Sequence, residues 1–149
     1  MVSPELLRRY PFFRGLRMDQ IVVLAKAAEE MSVCKDFTFF KEGEELHYLY
    51  LVVEGEVGTV MKLPQKEVII STVGTGDVFG WSALVPPTIA TAATRALTPC
   101  RVVAFDCKAL RRRFEDDCLF GYIIMQNIAQ VIRKRLQDLR LETLAYIAE

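Results

Sequence analysis

No apolar run in this chain approaches the roughly 18 residues that a membrane-spanning helix needs. The opening stretch, with Glu5 and the Arg8-Arg9 pair ahead of only brief apolar pieces, does not read as a signal peptide either. A cytoplasmic protein with no membrane partner is expected. Charge of one sign is also missing: 19 Lys and Arg meet 19 Asp and Glu, for a formal net charge of zero. That removes the whole-surface attraction on which many partners of nucleic acid or anionic lipid depend. The cysteines, at positions 34, 100, 107 and 118, have none of the spacings of a zinc knuckle or a redox pair, so no metal site is expected and no cofactor. Buried free thiols in a reducing compartment are the expectation. The only histidine, His47, falls in a turn-like stretch between Glu45 and Tyr50 with no patterned nucleophile beside it. It reads as an exposed structural residue. The adjacent acids Glu44-Glu45 and Asp116-Asp117 face different ways on any regular element and read as turn and capping charge. No catalytic residue is expected.

What is present suits one compact module. At 149 residues, 52% hydrophobic and 26% charged, the chain is long enough for one substantial core and too short for two ordinary domains. Leu6, Leu7 and Tyr10 start a short helix, and Ile21, Leu24, Ala25 and Ala28 repeat at helical spacing after Asp19, giving N-terminal helices over 1–30. The pattern then changes to short β-rich runs separated by turns, at 33–40, 48–53, 56–63, 67–73, 92–97 and 100–105. Pro64-Gln65-Lys66 reads as a hairpin turn. Residues 31–105 thus predict a jelly-roll barrel, two sheets stacked over a shared interior.

Helix returns over 106–149. Asp106 can cap a segment carrying Ala109, Leu110, Arg113 and Phe114. A long helix then runs from about Leu119 toward Ile147. Along it Met125, Ala129, Ile132, Leu136, Leu139, Thr143 and Tyr146 alternate steps of three and four, while Ile124, Ile128 and Val131 form a second apolar line. One line can pack on the barrel. The other can pair with the same helix of a second copy, which makes Ile132, Leu136, Leu139 and Tyr146 a candidate dimer seam. The basic stretches at 111–113 and 133–135 are each followed by acids and read as solvated helix faces with i,i+4 pairing.

The segment Gly76-Asp77-Val78-Phe79-Gly80-Trp81-Ser82-Ala83-Leu84 closes a strand-like run with a small-residue turn and opens a short helical piece. Glycine allows close backbone approach, and first-turn N–H groups point outward with the positive end of the dipole behind them. An anion would suit such a turn; a plain tight bend has the same signature.

These pieces occur in order with Phe40-Lys41-Glu42-Gly43, with Tyr50-Leu51-Val52-Val53-Glu54-Gly55-Glu56-Val57, and with Thr91-Ala92 leading into a strand. In that order the chain resembles, over nearly its whole length, the cyclic-nucleotide-binding domain of the catabolite activator and protein kinase A regulatory families. The resemblance implies a double-stranded β-helix barrel, mainly β with flanking α, and a long C-terminal helix that forms a parallel dimer seam and approaches the bound base. It also implies a phosphate cassette reading Phe-Gly-Glu-x-Ala-Leu and then Arg-(Ser/Thr)-Ala. Phe79, Gly80, Ala83, Leu84, Thr91 and Ala92 match that pattern, and Ser82 fills its free position. Trp81 stands where the family glutamate accepts from the ribose hydroxyl, and Ala90 where the arginine pairs with the cyclic phosphate. Tryptophan cannot accept that bond and alanine carries no charge. Tight binding of cyclic AMP or cyclic GMP is therefore not expected. Trp81 either fills the vacated pocket, packing on Pro86 and Pro87, or stacks on a planar ligand. Arg95 offers no substitute, since an odd offset along a strand puts it on the face opposite Ala90. The catabolite activator relatives carry a helix-turn-helix after the long helix, and none lies within these residues, so direct DNA reading by this polypeptide is not expected. Two readings stay open: a docking or dimerising module with a filled pocket, and a sensor of a nucleotide or other small anion signalling through the long helix.

Overall fold

The computed structural model describes residues 1–148; Glu149, the last residue of the expected C-terminal helical segment, lies outside the described residues. Helix α1 (Pro4–Arg8), a 3-10 turn (Pro11–Phe13) and α2 (Met18–Lys26) precede eight strands: β1 (Ala28–Val33), β2 (Thr38–Phe40), β3 (Tyr48–Glu54), β4 (Val57–Lys62), β5 (Glu67–Val73), β6 (Val78–Phe79), β7 (Ala93–Ala96) and β8 (Cys100–Asp106). Helices α3 (Cys107–Asp116) and α4 (Cys118–Ala148) follow. The strands form two four-stranded antiparallel sheets, ordered β1-β8-β3-β6 and β2-β7-β4-β5. This is the expected jelly roll. Its interior holds Leu51, Val57, Val102 and Phe105, to which the N-terminal helices add Leu7 and Leu24 and α4 adds Phe120, Ile124 and Ile128.

Two strand readings need correction. The run expected as one strand over 33–40 is broken at 34–37, where Asp36 adopts φ 73° and the Phe37 amide donates to the Cys34 carbonyl at 3.2 Å. Aspartate tolerates the left-handed region better than most residues, and no glycine marked this turn. Ala28, read as helical, instead opens β1 opposite Phe105. The hairpin at Pro64-Gln65-Lys66 forms, with the Leu63 amide donating to the Lys66 carbonyl at 2.8 Å.

Caps fix the helices. The Asp106 carboxylate accepts from the amides of Lys108 and Ala109 at 3.0 and 3.2 Å, starting α3 directly off β8. Asp117 does the same for α4, accepting from the Phe120 amide at 3.1 Å. Its second oxygen accepts from the buried Gln20 of α2 at 3.1 Å, with Arg17 alongside at 3.5 Å. The Gln20 amide, the Phe120 N–H and the Arg17 guanidinium together hold this carboxyl below its ordinary pKa. The start of α4 is thereby tied to the N-terminal helices. Higher up, the Asn127 amide donates to the carbonyls of Phe12 and Arg14 at 2.7 and 3.2 Å.

Helix α4 separates its two apolar lines as the spacing predicts. Ile124 and Ile128 are buried against the domain, and Val131 is half-buried. Leu136, Leu139 and Tyr146 are 47%, 43% and 79% exposed, while Ile132 lies half-buried at the boundary. Helix docking rests on the first line. Replacing Ile124 with alanine is expected to lower stability by about 2–4 kcal/mol, the range for truncating a fully buried side chain. Urea unfolding followed by circular dichroism measures this, and a loss below about 0.5 kcal/mol would show that α4 is not packed here.

Candidate functional site

The turn that the sequence singles out is built around Gly80. It adopts φ 77°, a left-handed conformation open to glycine, and a Cβ placed there would lie 3.1 Å from the Tyr48 carbonyl oxygen and 3.3 Å from the Tyr50 ring. Both features favour glycine here. A 3-10 turn over Trp81–Leu84 follows, closed by the Ala83 amide donating to the Gly80 carbonyl at 3.0 Å. The Ala83 N–H is therefore bonded within the protein. Ser82, Ala83 and Leu84 are buried, and Trp81 is half-buried against the core. Beneath the turn, Phe79 stacks on Tyr50 (4.9 Å, interplanar angle 10°) and receives the edge of Phe39 at 4.9 Å. Removal from water pushes the Tyr50 hydroxyl above its ordinary pKa.

Two guanidinium groups grip this turn from outside it. Arg111 of α3 donates to the Ala83 carbonyl at 2.8 Å, and Arg135 of α4 donates to the Val78 carbonyl. Both were read from sequence as members of solvated basic faces. Both are instead half-buried, and among the described residues neither basic stretch forms an i,i+4 ion pair. Charge runs show where arginines sit but not which one bends inward, so spacing alone could not have found these contacts.

The second limb carries Ala90, Thr91 and Ala92. Ala90 is only 3% exposed, and its amide donates to the Glu44 carbonyl at 2.8 Å while its carbonyl accepts from the Gly43 amide at 2.9 Å. The adjoining loop continues the zipper, with the Leu46 amide donating to the Thr88 carbonyl at 2.7 Å. Position 90 thus lies inside the protein with no charge. Thr91 is exposed and Ala92 half-buried. Arg95 lies on the opposite strand face from buried Thr94 and Ala96, as its odd offset predicts, but it is not free: it pairs with Glu67 at 2.8 Å. Pro86 and Pro87 are exposed.

Other sequence expectations meet a mixed outcome. His47 is half-buried, with its Nδ1 enclosed and without a partner among the described residues, and its carbonyl accepts from the Cys107 amide at 2.9 Å. All four cysteines are free; Cys100 and Cys107 are buried, whereas Cys34 and Cys118 are exposed in the turn after β1 and at the first residue of α4. Burial pushes the Cys107 thiol up to about 12, which makes it a packing residue. Among the described residues no three His, Cys, Asp or Glu side chains converge as a metal site would require, and no helix is long and apolar enough to cross a membrane.

A jelly roll with a glycine-led 3-10 turn after β6 and a long closing helix defines the architectural class of this domain. Comparison with known proteins agrees: residues 30–117 match the family model of the cyclic nucleotide-binding domain. The chain belongs to that family. It is 26% identical over 136 residues to a CRP-like cAMP-activated global transcriptional regulator of Mycobacterium tuberculosis, a match covering 91% of this chain. The chain spans 61% of the length of that curated relative. Among solved structures it is similar to a protein of Geobacter metallireducens described as binding cyclic nucleotides, at 34% identity and TM-score 0.82, covering 91% of this chain and 99% of that one. The N-terminal domain of a Streptomyces coelicolor transcriptional regulator is 27% identical with TM-score 0.71, over 90% of this chain and 94% of that one.

The glycine turn supplies a direct test. Changing Gly80 to valine is expected to cost about 1–3 kcal/mol through its left-handed φ and the approach to Tyr48. Denaturant titration reads this as a lowered midpoint, and an unshifted midpoint would mean that the turn is not tight.

Proposed function

We propose that this chain is a non-catalytic regulatory module that does not bind cyclic AMP or cyclic GMP tightly and acts by dimerisation or docking through α4. The observation that carries this reading is Ala90. A cyclic phosphate seated in the cassette would be desolvated, and a desolvated anion needs a charged partner. Ala90 offers none, and its backbone groups are already bonded to the loop at 43–44. A charge-assisted hydrogen bond is worth about 1.5–3 kcal/mol, and stripping one partner from a desolvated pair costs about 3–5 kcal/mol. At about 1.4 kcal/mol per tenfold, the affinity falls by roughly one to three orders of magnitude. Trp81 removes the ribose contact as well.

The exposed apolar line on α4 supports the second half of the proposal. Leu136, Leu139 and Tyr146, with Ile132 at the edge, form a stripe at heptad-like spacing on a helix whose opposite line is already buried. A second copy of the same helix suits that stripe.

The alternative reading, a sensor of a nucleotide or other small anion in the cassette, is favoured by one observation. Arg111 and Arg135 connect the Ala83 carbonyl of the cassette and the Val78 carbonyl just before it to the two C-terminal helices, so a ligand that displaced the turn would shift α3 and α4 with it. Such a ligand transmits a signal only if it binds the two helix positions with different affinity.

Thermal denaturation with cyclic AMP and cyclic GMP separates the readings. A melting temperature unchanged by millimolar ligand is expected; a rise that grows with concentration would support the sensor. The seam has its own test in Leu136→Asp combined with Leu139→Asp. Light scattering after size exclusion should show the dimer mass falling to that of the monomer, and an unaltered mass would remove α4 as the interface.

A further inference from the structure

A cleft of about 610 Å³ opens between α4, the loop joining β5 to β6, and the 3-10 turn at Pro11–Phe13. It shares no lining residue with 79–84 or 90–92 and adjoins the cassette through Val78 and Arg135. Arg14, Lys134 and Arg135 line it, facing the acids Asp77 and Asp138. Asp77 is already engaged, its carboxylate accepting from the Gly74 amide at 3.0 Å. Arg14 and Lys134 are exposed and have no ion-pair partner among the described residues.

Arg135 differs from the other two because it is half-buried. Its protein acceptor is a neutral carbonyl, that of Val78, and a guanidinium carries five N–H donors in a planar fork. Most of its hydrogen-bonding capacity is left for a ligand. Loss of solvent lowers its pKa, with Asp77 offsetting part of the effect, which is the position of a cation that gains when an anion arrives. Three cations reaching one cleft from two separate parts of the chain outnumber its two acids. Phe12 and Val131 add apolar wall, and the volume is that of a site for a nucleotide-sized molecule.

We propose that this cleft binds a small phosphomonoester of nucleotide size, its dianion held by Arg135 with Arg14 and Lys134. A phosphomonoester presents three non-bridging oxygens to these three cationic groups where a cyclic phosphodiester presents two, so the cleft discriminates against cyclic nucleotides.

Titration calorimetry of the intact chain with adenosine 5′-monophosphate tests this, with inorganic phosphate and cyclic AMP as comparators. Saturable binding of the monophosphate is expected, weaker for both comparators. The exposed pair Arg14→Gln with Lys134→Gln, which disturbs no packing, is expected to weaken it by about tenfold or more, and Arg135→Gln to abolish it. No saturable binding up to about 10 mM would overturn the proposal, since a site weaker than that is adventitious. So would an affinity unchanged in the double variant, or cyclic AMP binding as tightly as the monophosphate.

Discussion

The turn at Gly80 is held from two sides by guanidinium groups that belong to other elements, and the arrangement of the C-terminal half follows from that grip. Arg111 anchors the Ala83 carbonyl from α3, and Arg135 anchors the Val78 carbonyl from α4. A carbonyl buried without a partner is costly, so the two arginines satisfy the turn while fixing the helices over it. At its base α4 is held by Asp117 through Gln20, and midway by Asn127 on the carbonyls of Phe12 and Arg14. Beyond Arg135 no such contacts follow among the described residues, and the apolar residues there face solvent.

Arg111 and Arg135 therefore serve backbone carbonyls, and neither belongs to the cassette limb. Ala90 is enclosed and neutral, zipped through both its backbone groups to the loop at Gly43 and Glu44. The chain has the family fold, and on the proposed reading it lacks the pairing that gives a cyclic phosphate its affinity, so that fold and ligand chemistry have separated.

Much of this was legible in the sequence for physical reasons. Strand alternation and turn residues marked the barrel, Asp106 announced its helix, and the three-and-four spacing of α4 split correctly into the buried Ile124 and Ile128 and the exposed Leu136, Leu139 and Tyr146. The order of glycines and aromatics marked Gly80 and the residues around it. What escaped was long-range. Asp36 turned the chain without glycine, Ala28 joined a strand because Phe105 lies opposite, and His47 lies half-buried with its carbonyl bonded to the Cys107 amide. Arg111 and Arg135 left no trace in local pattern, because the carbonyls they bind are 28 and 57 residues distant.

The central claim is that one missing cation, with the acceptor lost beside it, separates this domain from a receptor of cyclic nucleotides. Calorimetric titration of cyclic AMP into the native chain and into a variant carrying both Trp81→Glu and Ala90→Arg tests it most directly. The account expects no measurable uptake by the native chain and saturable binding by the variant, stronger by about one to three orders of magnitude. Tight binding by the native chain would contradict it.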